Sequence, residues 1–411
     1  MKHKKLITTL SVILSIVVAL VIFLMIWFWG DKYNGGRKSE GFSDFRAEVP
    51  ISGLKDGACP QGLTSYRANY TVTETDADGK ETEVKKSQDY FFISAYLKNQ
   101  PSRIYVVGSD TGEVGYVTLK NKDGSDYTGH CGGIATNGVT LWVSSDNTVF
   151  VAKAGTSSTD NIAYDIIKLA AENGSVQFTA SFNANCNASF LYYYQSPTTT
   201  SANSSSNKLY VGEFYRAGNY ETNEKHRLTT KNGDYNPAFA YEYTVSTDTN
   251  FGLTTTEAYD ADKNKVPKIQ KIFSITGEIQ GFARTANGIV LSQSYGLKNS
   301  EIYYYKFDWS STTNNSYDRY TTLESKGFKY DGVTTVNGAP FYDTSTSLYV
   351  YYIDGEAMIN DYSIPSMSEG LCTIGDRVYV LFESGANKYK HFVRQSLKNV
   401  YSFIPRKSDK F

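Results

Sequence analysis

The sequence predicts an all-β fold, a six-bladed β-propeller with five blades as the alternative count, preceded by one N-terminal transmembrane helix. Three observations predict it. Residues 6–29 form an uncharged apolar run. Small-residue turns recur along the rest of the chain, and each opens an apolar stretch. The composition holds 34 Tyr, 22 Phe and 33 Gly; aromatic residues suit pleated, half-buried surfaces and Gly suits tight turns. A formal net charge of -1 lacks the basic excess that a phosphate backbone attracts, which argues against nucleic acid as a partner.

The apolar run comes first in the chain. Residues 1–5 read as a cytoplasmic tail, because Lys2, Lys4 and Lys5 precede the run and cytoplasmic flanks favour positive charge. Residues 6–29 reach the roughly 20 residues that a helix needs to cross a bilayer. Thr8, Thr9, Ser11 and Ser15 are its polar members, and their hydroxyls bond back to helix carbonyls. A cleaved signal peptide has a shorter apolar region that ends on small residues. This run ends on Trp27, Phe28 and Trp29, rings that favour the membrane interface, so it reads as an uncleaved signal-anchor. Residues 30–48 read as a flexible stalk. Residues 49–411 then form the propeller, outside the cell at the cell membrane.

The recurring turns are Pro60-Gln61-Gly62, Cys131-Gly132-Gly133, Ile279-Gln280-Gly281 and Ser368-Glu369-Gly370. Three of them lead through Asn137-Gly138, Asn287-Gly288 or Gly375-Asp376 into a second strand, which is a hairpin signal. The copy after Pro60 is stretched by a polar insertion over 73–86. A degenerate copy starts at Asn187, and a partial unit spans 339–362, which brings the count to six. Four-stranded units repeated along a chain mark a propeller, because each sheet needs its neighbours to cover its faces. A pair of β-sandwiches is the competing reading, and it predicts no recurring Gly at strand entries. Residues 164–172 read equally as a short helix or an outer strand.

With the His130-Cys131 turn and the Phe382-Glu383-Ser384-Gly385 ending, these motifs resemble exported bacterial β-propeller proteins of unassigned function. More distantly they are similar to six-bladed, calcium-dependent propellers of the lactonase and phosphotriesterase type. The resemblance covers most of residues 58–405. It implies a Ca2+ ion in the central tunnel, held by Asp, Asn and Glu side chains. The tunnel-entry positions here are Gln61, His130, Asn187, Gln280 and Glu369, of which only Glu369 is a carboxylate.

In a propeller the entry turns converge around the axis. Gln61, His130, Asn187, Gln280 and Glu369 are therefore the candidate ligand-binding ring at one mouth of the channel. A buried ring of amides, an imidazole and a carboxylate must bond one another, water or a ligand. Glu213 and Glu383 stand at matching ends of second strands, where two carboxylates can serve as acid and base or bind a metal. The candidate catalytic groups are His130, Glu369 and Glu383. His226 and His391 read as surface residues, and Asp76-Ala77-Asp78-Gly79 as a turn. No G-x-S-x-G elbow, H-E-x-x-H or phosphate loop occurs.

Cys59, Cys131, Cys186 and Cys372 each lie close to an entry turn. An exported compartment permits disulfides, and adjacency of blades suggests Cys59–Cys372 and Cys131–Cys186. The sequence is consistent with an enzyme or a non-enzyme. The favoured reading is a membrane-anchored binding or scaffold module whose partner is a cell-envelope glycan, peptide or protein. The alternative is a metal-assisted hydrolase of the lactonase or esterase type at the channel mouth.

Overall fold

The computed structural model describes residues 2–29, 40–155, 160–230, 232–247, 249–259, 263–310, 320–322, 335–336, 339–340 and 348–408. Among the described residues the strands build five blades around one axis, not six. The first blade runs Cys59–Thr75, Glu81–Leu97, Gln100–Gly108 and Gly112–Lys120, from the axis outward. The second is Gly133–Thr136, Thr140–Ser145, Thr148–Lys153 and Ala180–Asn183. The third is Ala188–Tyr194, Lys208–Glu213, Ala238–Thr244 and Ile269–Ile275. The fourth is Ile279–Thr285, Gly288–Gln293, Ser300–Lys306 and Met358–Ile364. The fifth is Ser368–Ile374, Arg377–Phe382 and Asn399–Phe403, completed by Arg46–Pro50 from the other end of the chain. The five inner strands touch in a closed ring, the first against both the second and the fifth.

The sixth unit read between 339 and 362 dissolves into its neighbours. Tyr349–Tyr352 pairs in parallel with Ile269–Ile275 as an extension of the third blade. Met358–Ile364 is the outer strand of the fourth. Neither has the entry turn that puts a strand on the axis.

Ring closure also redraws the stalk. Arg46 pairs with Ser402 and Ala47 with Tyr401, so residues 46–48 belong to the propeller. Phe42, just before them, packs on Phe45, Phe382 and Tyr401 with ring centroids 4.9–6.2 Å apart. The ring is closed by backbone hydrogen bonds rather than by a disulfide. All four cysteines are free and buried. Cys131 packs between the first and second blades, Cys186 in the core around the second and third, and Cys372 in the core that the fifth shares. The pairings Cys59–Cys372 and Cys131–Cys186 do not form, because each thiol is packed in its own part of the core.

The core explains the aromatic composition. Tyr105, Tyr192, Tyr210, Tyr241 and Tyr351 are among the largest fully buried side chains. Phe282 stacks on Tyr210 with ring centroids 4.6 Å apart. The insertion over 73–86 is the tip of the long first hairpin. Its turn is held by Asp76, whose Oδ1 accepts from the backbone N–H of Asp78 at 3.0 Å and of Lys80 at 2.9 Å. Residues 162–171 form an α-helix, Ile162–Ala171, capped by Asn161 and packed on the first two blades. An amphipathic pattern with an N-cap favours helix over outer strand.

The N-terminal helix spans Lys2–Trp29. Residues 9–25, whose side chains are described, are exposed throughout, including Leu14 at 64% and Phe23 at 61%. Among the described residues no helix is long and apolar enough to cross a membrane.

Candidate functional site

The inner strands begin at the same end of the ring, and four of the five carry a bulge there. The bulges fall between Pro60 and Gly62, Ala188 and Phe190, Ile279 and Gly281, and Ser368 and Leu371. Close approach makes glycine obligatory at two of them. A Cβ on Gly62 would stand 2.7 Å from the Ile134 nitrogen of the next blade. A Cβ on Gly370 would stand 2.6 Å from the Leu63 nitrogen. The Ser94 hydroxyl ties the first bulge to the second blade, accepting from the Gly62 N–H at 3.0 Å and donating to the Cys131 carbonyl at 2.9 Å.

The entries of the five inner strands bring Gln61, His130, Asn187, Gln280 and Glu369 to one axial cavity of about 580 Å³. A second ring, from the ends of the second strands, lines the same cavity: Tyr96, Ser145, Phe214, Ser294 and Glu383. Sequence reasoning missed four of these five. Their common signal is the residue that ends the second strand of each repeat.

Glu213 is not brought to the cavity. It stands one position before Phe214, and successive strand side chains point to opposite faces. It is 1% exposed and accepts from the Phe239 N–H at 2.9 Å. His226 Nδ1 lies 2.8 Å from each of its carboxylate oxygens. His226 is therefore buried, not a surface residue, held in a short turn, Glu224–His226, and stacked on Phe239 at 4.6 Å. His391 is exposed.

Glu369 and Glu383 form the centre of charge at the mouth. Ser368 is paired with Phe382 at the mouth end of the fifth blade, next to a bulge in the inner strand, and the Glu369 and Glu383 carboxyl groups are hydrogen-bonded to each other. Burial pushes Glu369 well above the usual carboxylate range, and the neighbouring Glu383 charge adds to the rise. Burial raises Glu383 as well, but hydrogen bonds and Lys388 oppose that rise. Its Oε2 accepts from Gln61 Nε2 at 3.0 Å and from the Cys59 thiol at 3.2 Å. Two carboxyls in contact cannot both ionise easily, so Glu369 holds the shared proton and Glu383 carries the charge. Burial and the Glu383 charge push the Cys59 thiol far up, which keeps it a thiol.

His130 stacks on Tyr96 with ring centroids 4.7 Å apart. Burial lowers its pKa against the pull of Asp146, which leaves the imidazole neutral. Among the described residues no hydrogen bond joins it to Glu369 or Glu383.

Calcium takes six to eight oxygen ligands. Here the two carboxyls share a proton, Gln61 turns its amide hydrogens toward Glu383, and the Lys388 ammonium stands nearby. Among the described residues no group of three His, Cys, Asp or Glu side chains is placed to hold a metal ion. This donor set does not fit Ca2+, and no step is derived through one.

No family model and no curated protein matches the chain. Solved structures give distant likenesses. A GH43_1 enzyme from Xanthomonas citri complexed with xylotriose aligns at a TM-score of 0.37 and 9% identity, over 91% of this chain and 95% of that one. The same enzyme with xylose gives 0.34 and 9%, over 87% and 93%. Hsv2 from Kluyvelomyces marxianus gives 0.24 and 8%, over 77% and 91%. Scores this low transfer no activity. The propeller part of the resemblance drawn from sequence holds on strand register, whereas the six-bladed, lactonase-type part does not.

Proposed function

We propose that this protein is a membrane-anchored, extracellular binding module that takes a small polar ligand, or the polar end of a larger one, into the axial cavity. The observation that carries the reading is the convergence of two rings of side chains, one residue from each of the five blades per ring, on a single cavity of about 580 Å³. A purely structural channel needs no such concentration of amides, hydroxyls and carboxyls, since each buried polar group costs free energy unless partnered.

Chain direction supports display of that mouth. The strand Asn399–Phe403 leaves the mouth, and Arg46–Pro50 runs antiparallel to it. The chain therefore enters the propeller at the face opposite the cavity. An anchor at residues 6–29, with Lys2, Lys4 and Lys5 on the cytoplasmic side, would leave the mouth facing away from the bilayer. The partner on this reading is a glycan, peptide or protein of the cell envelope.

The test uses the full chain in lipid nanodiscs. Small polyols, amines and short peptides are screened by thermal shift, and hits are measured by calorimetry. The double substitution Asn187→Ala with Gln280→Ala should weaken a hit at least tenfold while leaving the unliganded Tm within a few degrees. Binding that is indifferent to this pair would refute the cavity as the site.

One observation favours a hydrolase as a second reading. The proton-sharing Glu369–Glu383 pair has the form of an acid/base dyad. Their direct contact is closer than the roughly 5–10 Å at which paired carboxyls flank a glycosidic bond. The chemistry to test is therefore ester and lactone cleavage, and absence of turnover that Glu369→Gln abolishes would dispose of it.

A further inference from the structure

The mouth already holds an ammonium group of its own. Lys388 sits on the segment between Glu383 and Leu397 that leads across the cavity rim, and its side chain is exposed. Its Nζ donates to the Tyr96 hydroxyl at 3.1 Å. The same nitrogen lies 4.8 Å from the centre of the Tyr389 ring and 5.7 Å from that of Tyr96. Glu383, which takes N–H and S–H donors from Gln61 and Cys59, supplies the opposite charge. Two aromatic rings against one nitrogen, with a carboxylate lining the same cavity, are features by which ammonium groups are recognised.

Resting on the binding reading above, we infer that the axial cavity accepts a primary alkylammonium group, which takes the place the Lys388 ammonium holds against Tyr96 and Tyr389, in the field of Glu383. Three aspects of the cavity support this class. Its lining has three carboxyls, Asp146, Glu369 and Glu383, against one ammonium, Lys388. The first blade adds Cys59 as a thiol beside Glu383, and the second adds His130 as a neutral imidazole. The third and fourth blades contribute Asn187, Phe214, Gln280 and Ser294, none of them charged. Arg216, 3.6 Å over the Tyr295 ring, is paired with Glu278 and is not part of the lining. An exposed lysine at the rim leaves easily, whereas the carboxyl pair behind it cannot. An incoming ammonium therefore exchanges with Lys388, and its charge favours loss of the proton the pair shares.

The inference has a competitive signature. If Lys388 occupies its place about nine-tenths of the time, removing it should raise the apparent affinity for an amine about tenfold. Calorimetry on the full chain in nanodiscs uses two amine probes, cadaverine and Nα-acetyl-lysine N-methylamide, which separate a free diamine from a peptide lysine. The neutral controls are 1,5-pentanediol and glucose. Lys388→Ala should tighten the better amine about tenfold, and Tyr389→Leu should weaken it by a similar factor. Both variants should keep the wild-type unfolding transition, because Lys388 is exposed and Tyr389 only half-buried. Amine binding should also strengthen with pH and release protons, seen as heats that vary with the buffer. Equal amine affinity in wild type and Lys388→Ala would overturn the inference. So would a neutral control that binds as tightly as the amine. If a neutral polyol binds and the Asn187→Ala, Gln280→Ala pair abolishes it, the cavity reading stands and the amine assignment falls. If no probe of any class binds, both fall.

Discussion

At the scale of single residues, the chemistry concentrates where two carboxyls meet. Glu369 is 3% exposed and raised well above its usual value of 4.5. A raised carboxyl pKa means the folded state keeps a proton that the unfolded chain has released. Stability from this group is thus full below the unfolded value and declines as pH rises from about 4.5 toward the folded value. Glu369→Gln keeps the shape and a permanent hydrogen-bond donor. It should flatten that decline and raise the Tm at pH 7 by roughly 2–4 °C, the shift a change of 1 kcal/mol gives in a sizeable domain. Calorimetric scans from pH 4 to 8 measure it, and a variant whose Tm follows the wild type across the range would contradict the assignment of the proton. The glycine bulges make a second residue-scale prediction. Gly62→Val places side-chain atoms against the backbone of Ile134 and should cost about 3 kcal/mol or more. Guanidinium unfolding followed by tryptophan fluorescence reads it, and a loss under 1 kcal/mol would show that the inner strands have room to move.

At the scale of elements, the propeller depends on a strand whose first three residues sequence alone places in the stalk. Arg46–Pro50 is a short strand with charged residues at Arg46 and Glu48, and nothing in its pattern distinguishes it from a linker. Pairing with Asn399–Phe403, and burial of Val49 and Ile51, give it its role. A chain lacking residues 1–51 should unfold at a Tm at least 10 °C lower than the full chain, since it loses a whole edge strand and buried side chains worth about 1.5–3 kcal/mol each. A truncated chain with an unchanged Tm would show that the ring does not need this closure. The hairpins were legible, because Asn-Gly and Gly-Asp turns specify strand partners locally. The second ring of cavity residues was legible in principle, at the end of each second strand. Glu213 lies off the cavity because a shift of one residue along a strand moves a side chain to the opposite face. The segment over 339–362 forms no blade of its own for a different reason. Nothing local in that segment says which blade its strands join, and only their neighbours in space decide it.

At the scale of the whole molecule, the ring is held by packing and strand pairing. The four buried thiols predict that a reductant leaves the Tm unchanged, and that four thiols react with Ellman's reagent only after denaturation. Fewer than four in the denatured chain would restore a disulfide. The poor fit of the mouth to Ca2+ predicts that neither calcium nor EDTA moves the Tm by more than about 1 °C, whereas a bound ion present at a hundred times its Kd would add about 2.7 kcal/mol. Alkaline carbonate extraction tests the proposed anchor, and recovery of the chain in the soluble fraction would count against it.

The sequence by itself determined the all-β class, the five entry turns and the five polar residues that those turns carry to the mouth. Each is encoded locally, in a turn chemistry and a period of two. Tertiary structure alone decided the number of blades, the strand that closes the ring, the burial of His226 with Glu213 and the free state of the cysteines. The contact between Glu369 and Glu383, and the seat of Lys388 against Tyr96 and Tyr389, belong to the same group. These depend on which distant segments lie side by side, and a pattern that reads the same on an inner strand, an outer strand or a linker cannot specify its neighbours.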